Sequence, residues 1–428
     1  MLSSLILALA PQIAVAPQPL LVQGDYGAQP SVDTVFDVIY PPGKGPSSLG
    51  HAPEQLPVMI SLRGGNNNTV VPGAPAIGSI SVQAVTYGIV GVEPNFPTVG
   101  QGQDYSVSSD AVARLVQYLR ANAQEYNIDP GKVFLLGRSF GQIVCLAVAL
   151  KDDHQDLASS DPVEWESSRP DYVVARQGPT ALHCFSSNTT GWHSSMSLFF
   201  FPASDFKSST LEQKISESSV WWLTNPHLFG RVSTPPMCLV YKYAHGDTCG
   251  SVKDVHSGLF GDILTEATED LARATGDADF LARRGRIDNG AQNETVTITR
   301  ILLWAAQRLA DDFGGLLLVP PLGTLDTVAG GTIKLNVLGA TPGSTVSFYR
   351  GTVPGGGRVT GCPGLQEQIG NAVLLGQGVA DSAGLASISF FVPPGQAGSA
   401  VLFHALAAGT CESSNLVLHT YVAAVATE

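Results

Sequence analysis

The segment "GRSFG", residues 137–141, places a serine between two glycines in the pattern G-x-S-x-G. The apolar run "KVFLL" precedes it, and "IVCLAVAL" after it has the composition of a buried helix. A strand that turns sharply into a helix needs glycines beside the turn, because larger side chains would collide there. Ser139 would stand at the apex, next to the free N–H groups of the helix, which stabilise a developing oxyanion. The pattern therefore predicts Ser139 as a nucleophile for acyl transfer.

Alternating strand and helix patterns must position this serine. Short, β-branched candidate strands occupy residues 35–40, 58–62, 89–93, 132–136, 172–175 and 237–241. One helix is predicted to begin at Asp110 and to end before residues 129–131, and a last helix runs through Ile298 and Leu309 to Gly314. This alternation is typical of an α/β fold with a mostly parallel sheet and helices on both faces.

The pattern changes near residue 324. Turns rich in Gly or Pro then separate alternating runs such as "TIKLNVLG", "TVSFYRG", "LASISFFVPP" and "AVLFHALA". This sequence pattern predicts a smaller all-β domain, an immunoglobulin-like sandwich over residues 324–428. Cys362 and Cys411 are the only cysteines of this domain and could form a disulfide that stabilises it.

Chain length, net charge and cysteine spacing limit the number of domains and the classes of partner that this protein can have. A chain of 428 residues exceeds the roughly 250 to 300 residues at which single cores stop growing, so two domains are expected. A formal net charge of −13 with no run of Lys or Arg excludes a nucleic-acid partner. The six cysteines show no CxxC spacing, so no metal site is predicted.

The N-terminal segment "MLSSLILALAPQIAVAPQP" is similar to an export signal. It has an apolar stretch followed by the small-residue pattern Ala14-Val15-Ala16, although it has no basic residues before the apolar stretch. We expect residues 1–16 to be a signal peptide and the protein to be secreted, periplasmic or in the cell envelope. No later segment is apolar for long enough to span a bilayer.

With its serine turn in this setting, the chain resembles the α/β-hydrolase family, in the branch of secreted esterases and prolyl-oligopeptidase-like enzymes. The resemblance covers roughly residues 36–313 and implies a hydrolase domain over residues 30–315. The segment "RGGNNNT" follows an early strand, where the family often has His-Gly-Gly. The resemblance implies an oxyanion hole from the backbone N–H groups of Gly65 or Asn66 and of Phe140. The alternative is that these glycines and asparagines only turn the chain.

The resemblance also implies an acid and a base. Asp247 follows the strand 237–241, where the family carries its acid, and Asp254 is the reserve. The expected base position holds Gln292, whose amide cannot accept the serine proton, and no histidine lies between His256 and His404. We therefore name His256 as the base. Alternatives stay open: His245, His183 or His193 could serve, or His256 could only start a helix, or the base could be lost.

A long segment over residues 181–234 matches the place where the family inserts a lid. Its aromatic residues Trp192, Trp221 and Trp222 would line an apolar substrate pocket, or they form the insertion's own core. Cys184 and Cys249 follow two neighbouring candidate strands and are predicted to lie close enough to bridge.

The sequence thus predicts a serine hydrolase that cleaves a carboxylic ester of a small molecule or polymer, with Ser139, Asp247 and His256 as its catalytic residues. No metal or organic cofactor is implied. The alternative is a non-catalytic hydrolase-fold protein that binds a ligand through the remaining pocket. By analogy with appended modules of secreted hydrolases, the β-sandwich is expected to contact a cell surface or polysaccharide, or to act as a spacer.

Overall fold

The structure is a computed structural model. It describes residues 20–27, 34–41, 44–46, 55–64, 79–97, 105–181, 184, 234–241, 248–249, 252, 257–277, 283–288, 294–313, 316–319, 329–354, 359, 362, 369–414 and 417–421. Among these residues, no helix combines the length and apolar character needed to cross a membrane.

An eight-stranded sheet forms the first part of the fold. Its strands are β1 (Leu20–Asp25), β2 (Val35–Tyr40), β3 (Leu56–Leu62), β4 (Val90–Pro94), β5 (Ile128–Arg138), β6 (Tyr172–Arg176), β7 (Met237–Tyr241) and β8 (Gly285–Asp288). They lie in the order β1-β2-β4-β3-β5-β6-β7-β8. Strands β3 to β8 pair in parallel, whereas β2 is antiparallel to both β1 and β4. The predicted mostly parallel sheet is confirmed.

Helices cover both faces of this sheet, and these are α1 (Ser79–Ala84), α2 (Tyr105–Ala121), α3 (Phe140–Leu150), α4 (Gly258–Thr275) and α5 (Glu294–Phe313). We call the face covered by α2, α3 and α4 the α3 face, and its core includes Val133 and Leu135 of β5. The other, the α5 face, is covered by α1 and α5 and buries Phe134 and Leu136. Because β5 is buried on both faces, its middle is continuously apolar, as is typical of a central parallel strand.

The chain after α5 folds into antiparallel sheets. The strands are β9 (Leu317–Val319), β10 (Thr332–Leu338), β11 (Thr345–Gly351), β12 (Val353–Pro354), β13 (Ile369–Gly370), β14 (Val373–Val379), β15 (Ala386–Phe391), β16 (Ala400–Ala407), β17 (Glu412–Ser413) and β18 (Val417–Thr420). One sheet has the order β15-β10-β9, and another has the order β14-β11-β16-β17 with β18 also paired to β16. Side chains of both sheets share one core, including Leu335 of β10 and Phe348 of β11. The predicted all-β sandwich is confirmed, and its four quoted runs are β10, β11, β15 and β16.

The helix predicted to begin at Asp110 is α2, and its predicted start was wrong. Asp110 lies inside α2, which begins at Tyr105. Its side chain is 62% exposed and lies 3.9 Å from His154 Nε2, so an aspartate is tolerated there on the solvent side of the helix. The predicted end of this helix before residues 129–131 is confirmed, because α2 ends at Ala121 and residues 129–131 belong to β5. The signal peptide, the lid and the domain boundaries stay predictions, since residues 1–19, 185–233 and 320–328 lie outside the described part of the chain.

Candidate active site

Ser139 occupies the turn between β5 and α3. Its backbone has φ 54° and ψ −118°, a conformation that residues with a side chain rarely adopt. The Ser139 N–H donates to the carbonyl of Arg176 at 3.0 Å, and the N–H of Gln142 donates to the Ser139 carbonyl at 3.0 Å. The residue is partly exposed. The predicted sharp turn is therefore present, and the serine lies at the surface of the sheet's carboxyl edge.

Gly137 and Gly141 are required by the close approach of backbone around this turn. A Cβ on Gly137 would overlap the Gly141 carbonyl oxygen and lie 2.6 Å from Gln142 Cα. A Cβ on Gly141 would lie 2.5 Å from the Leu62 carbonyl oxygen and 2.6 Å from that of Arg63. Neither contact can be relieved by a side-chain movement, because the opposing atoms belong to the backbone. The two glycines thus let β3, β5 and α3 meet at Ser139.

The chain leaving β3 lies directly against the serine. A Cβ on Gly64 would lie 2.8 Å from Ser139 Cβ and 3.0 Å from the Arg138 carbonyl oxygen. Phe140, the first residue of α3, is buried behind Ser139. The predicted donors Gly65 and Asn66 follow Gly64 immediately but lie outside the described residues.

A buried hydrogen-bond network of Gln142, Gly178 and Tyr241 packs against the backbone of the turn. The side chain of Gln142 accepts from the Gly178 N–H at 2.7 Å and donates to the Gly178 carbonyl at 3.0 Å. It also donates to the hydroxyl of Tyr241, which itself donates to the Gly178 carbonyl at 2.8 Å. Burial raises the pKa of Tyr241, so its hydroxyl stays protonated and keeps this donor role. A Cβ on Gly178 would lie 2.6 Å from the Ser139 carbonyl oxygen, so the network holds the backbone of the serine itself.

Sequence reasoning missed this network. Gln142 is a fully buried polar residue in the otherwise apolar helix "FGQIVCLAVAL", and that position was the available signal. Buried amides are nearly always hydrogen-bonded, so a glutamine there requires partners. Its partners are Gly178, which follows β6, and Tyr241 of β7, and neither has a local pattern that identifies it.

Arg63, which stands where the family often has histidine, forms an ion pair at the end of β3. Its Nε lies 3.9 Å from Glu93 Oε2, and Glu93 also accepts from the hydroxyl of Ser81 in α1 at 2.6 Å. Glu93 and Ser81 are buried, while the Arg63 side chain is 34% exposed. This contact ties the chain entering the predicted oxyanion loop to α1.

The remaining predicted site residues lie outside the described part of the chain: Asp247, Asp254, His256, His245, His183, His193, Gln292, Trp192, Trp221 and Trp222. The described imidazoles are those of His154, His404 and His419. His154 follows the far end of α3, whose 11 residues span about 16 Å from Ser139, and the other two belong to the C-terminal sheets. The assignment of the base to His256 and of the acid to Asp247 therefore stays a prediction.

Two disulfides confirm the predicted cysteine pairs. Cys184 bridges Cys249, joining the segments that follow β6 and β7 near the same end of the sheet, and Cys362 bridges Cys411 in the C-terminal region. The free thiols of Cys145 and Cys238 are fully buried, and burial raises the pKa of both. Neither is a competing nucleophile, because the thiolate is the reactive form.

The middle of the chain matches a known protein family. The BD-FAE family model matches residues 50–264, just over half of the chain, and the matched segment includes the turn at Ser139. No curated protein sequence matches the chain.

Several solved structures are similar to this one. An acetyl ester-xyloside bifunctional hydrolase from Caldicellulosiruptor lactoaceticus is 16% identical with a TM-score of 0.44, and the match covers 66% of this chain and 89% of that one. A truncated carbohydrate esterase from gut microbiota is 14% identical with a TM-score of 0.47, covering 69% and 97%. A thermophilic esterase from the Planctomycetes species Thermogutta terrifontis, with propionate bound, is 13% identical with a TM-score of 0.42, covering 73% and 98%.

The sheet order, the turn at Ser139 and the family match agree with one another. The chain belongs to the BD-FAE family, a family of α/β-hydrolase-type esterase domains.

Proposed function

We propose that this protein is a serine esterase that cleaves carboxylic esters through an acyl-enzyme on Ser139. The observation that carries the proposal is the backbone of Ser139, which has a left-handed φ of 54° between two glycines that admit no side chain. Strain of this kind costs on the order of 1–3 kcal/mol and is characteristic of functional sites. Membership of an esterase family supports the same reaction class.

In the proposed reaction, the Ser139 hydroxyl attacks the ester carbonyl and transfers its proton to the base, for which His256 is the candidate. The N–H groups of Phe140 and of Gly65 or Asn66 would stabilise the tetrahedral oxyanion. The protonated base then donates its proton to the departing alcohol, leaving an acyl-serine. Water hydrolyses this ester by the same proton transfers in reverse order, and Asp247 would orient the imidazole throughout.

The second candidate is a hydrolase-fold protein that binds a ligand without turnover. It is motivated by Gln292 at the position expected for the base and by the long interval without histidine between His256 and His404. Glutamine cannot act as a general base at neutral pH.

Substitution of Ser139 by alanine distinguishes the two candidates. With 4-nitrophenyl acetate as substrate, Ser139→Ala should lower kcat by about 1,000-fold or more, because the residue is the nucleophile. The exposed Ser160 provides the matched control, and Ser160→Ala should have wild-type kcat. Loss of turnover in both Ser139→Ala and His256→Ala would exclude the binding-only candidate. Full turnover in Ser139→Ala would refute the esterase mechanism proposed here.

The proposed setting is outside the cytosol. Two disulfides between cysteines distant in sequence support an oxidising compartment, as does the signal-like N-terminus. The substrate would then be an ester of a small molecule or a polymer, with the C-terminal sheets making contact with a cell surface or polysaccharide. N-terminal sequencing of protein recovered from the medium of a native host tests the export step.

A further inference from the structure

The chain that leaves β6 contacts the serine turn with its backbone. A Cβ on Gly178 would lie 2.6 Å from the Ser139 carbonyl oxygen, so this part of the chain packs directly on the turn. We call residues 178–181 and 184 the β6 exit. All of them are buried, and the Cys184 N–H donates to the Ala181 carbonyl at 3.0 Å. The β6 exit is therefore a fixed surface beside the proposed nucleophile.

The first turn of α4 is tied to the β6 exit by a hydrogen bond. The hydroxyl of Thr180 donates to the Phe260 carbonyl at 2.7 Å, and both side chains are fully buried. The two residues are 80 positions apart in sequence, so this bond joins two separate parts of the fold. Ser257 caps the same turn, because its side chain accepts from the Leu259 N–H at 3.2 Å. Thr180 therefore holds the start of α4 against the β6 exit.

A second contact joins the start of α4 to the same place. A Cβ on Gly261 would lie 2.5 Å from Tyr241 Cγ, so the first turn of α4 packs closely on the Tyr241 side chain. The guanidinium carbon of Arg286 lies 5.4 Å from the centre of the Tyr241 ring. The Tyr241 hydroxyl donates to the Gly178 carbonyl at 2.8 Å. This contact thus also leads to the residue that packs on Ser139.

The Cys184–Cys249 disulfide ties the chain on the other side of the proposed base. His256 lies between Cys249 and Ser257 in sequence, directly before Ser257. The segment that carries it is held at one end by the disulfide and at the other by the contact of Thr180 with the start of α4. Both ties end on the β6 exit. A short segment with both ends held has fewer conformations, so less entropy is lost when one of its side chains is oriented for reaction.

We propose that Thr180 and the Cys184–Cys249 disulfide are positioning groups for the base, which hold the segment carrying His256 within reach of Ser139. This inference rests on the esterase function proposed above. In this role neither group touches the substrate or transfers a proton. They act by fixing both ends of the base segment to the surface that packs on the nucleophile. Such orientation matters for rate, because a misplacement of about 1 Å can cost on the order of 100-fold.

Loss of the Thr180 hydroxyl tests the proposal. Thr180→Val keeps the shape of the side chain and removes its donor, so kcat for 4-nitrophenyl acetate should fall by about tenfold with little change in KM. Thr180→Ser keeps the donor and should restore most of the wild-type kcat. Thr268→Val is the matched control, because this buried hydroxyl donates to the Thr265 carbonyl within α4 itself. It should leave kcat unchanged.

Coupling to His256 separates positioning from a general loss of stability. If Thr180 acts through the base, Thr180→Val should have no further effect on the residual turnover of His256→Ala. A merely structural role would lower turnover by the same factor in both backgrounds. An equal factor would therefore overturn the proposal.

The two disulfides provide a second pair of variants. Replacing both Cys184 and Cys249 by alanine should lower kcat by about tenfold or more, because one end of the base segment is released. Replacing both Cys362 and Cys411 by alanine removes the disulfide of the C-terminal region and should retain the wild-type kcat. Thermal unfolding midpoints show whether each variant is folded at the assay temperature.

The wild-type assay separates failure of this inference from failure of the esterase function. Turnover that depends on Ser139 but is equal in wild type, Thr180→Val and the variant without Cys184 and Cys249 would overturn the positioning role and leave the esterase function standing. A wild-type protein without turnover that depends on Ser139 would overturn both.

Discussion

Two buried polar side chains packed against the turn at Ser139, Gln142 and Tyr241, differ in hydrogen bonding from two histidines inside the C-terminal sheets, His404 and His419. Gln142 and Tyr241 share three hydrogen bonds with Gly178 and another with each other. In the C-terminal sheets, Nε2 of His404 and of His419 has no hydrogen-bond partner among the described residues. A satisfied network fixes one arrangement of the backbone, whereas an unpaired ring nitrogen only has to stay neutral.

The two regions also differ in which residue types have a left-handed backbone φ. At the turn, a left-handed φ falls on Ser139, a residue with a side chain. In the C-terminal sheets most left-handed positions fall on glycines, as at Gly343 and Gly384, where they cost little. The comparison teaches that at the turn a left-handed φ on a serine coincides with a hydrogen-bonded buried network, and both fix one geometry where the proposed chemistry requires it. In the C-terminal sheets the left-handed residues with side chains, Asn371 and Cys411, have no such network assigned to them among the described residues.

The largest effect is expected from filling the turn. Gly137→Ala places a Cβ on the Gly141 carbonyl and near Gln142 Cα. Because backbone must move, we expect the free energy of unfolding to fall by more than about 3 kcal/mol and ester turnover to be lost. Gly131→Ala, in the same strand, is the control, since its Cβ would meet only Asp129 Oδ1 at 3.5 Å. Urea unfolding of both variants checks the difference, and equal stability would refute the packing described at the turn.

A comparable effect, dependent on pH, is expected in the C-terminal sheets. Burial, with a smaller contribution from the nearby Lys44 charge, lowers the pKa of His404 from 6.5 to about 4. The folded state thus binds the proton more weakly than the unfolded state. The stabilisation from neutral His404 is complete above about pH 6.5 and is lost as the pH falls towards 4, by about 3 kcal/mol.

The substitution His404→Gln tests whether protonation of His404 causes this loss of stability at low pH. Between pH 7 and pH 4 the variant should lose about 3 kcal/mol less unfolding free energy than the wild type in urea titrations. The same substitution at His154, whose side chain is 42% exposed, should retain the wild-type pH dependence. Identical pH dependence in His404→Gln and wild type would contradict the assignment to His404.

A smaller effect is expected from removing one hydroxyl from the hydrogen-bond network of Gln142, Gly178 and Tyr241. Tyr241→Phe removes the hydroxyl that contacts Gln142 and Gly178, and should lower the unfolding free energy by about 1 to 2 kcal/mol. Because Gly178 packs on the Ser139 carbonyl, kcat should fall as well. The control is Tyr172→Phe, whose hydroxyl contacts Asp312 at the opposite edge of the sheet. If kcat fell equally in the two variants, the network would have no specific role at the turn.

Sequence patterns predicted the strands inside the eight-stranded sheet but not the two strands at its edges. The ranges predicted for β2 and β7 coincide with the structure, because each is a β-branched, apolar run with clear boundaries. Strands β1 and β8 were missed. They lie at the two ends of the sheet and pair on one side only, so burial imposes a weaker pattern on them, and β8 is four residues long.

The same contrast applies to the site. The turn at Ser139 was predictable, because strand, glycines, serine and helix are contiguous in sequence. The contact of Gln142 with Tyr241 spans 99 residues. No local pattern predicts this contact, since strand register is decided by packing of the whole sheet.

Covalent labelling tests the role of Ser139 most directly. The full chain is treated with a fluorophosphonate probe at neutral pH, and the modified residue is located by mass spectrometry of its peptides. We predict stoichiometric labelling on Ser139, none in Ser139→Ala, and loss of ester turnover in proportion to labelling. Unlabelled wild-type protein, or labelling at another serine while Ser139 stays free, would contradict the assignment of Ser139 as the nucleophile.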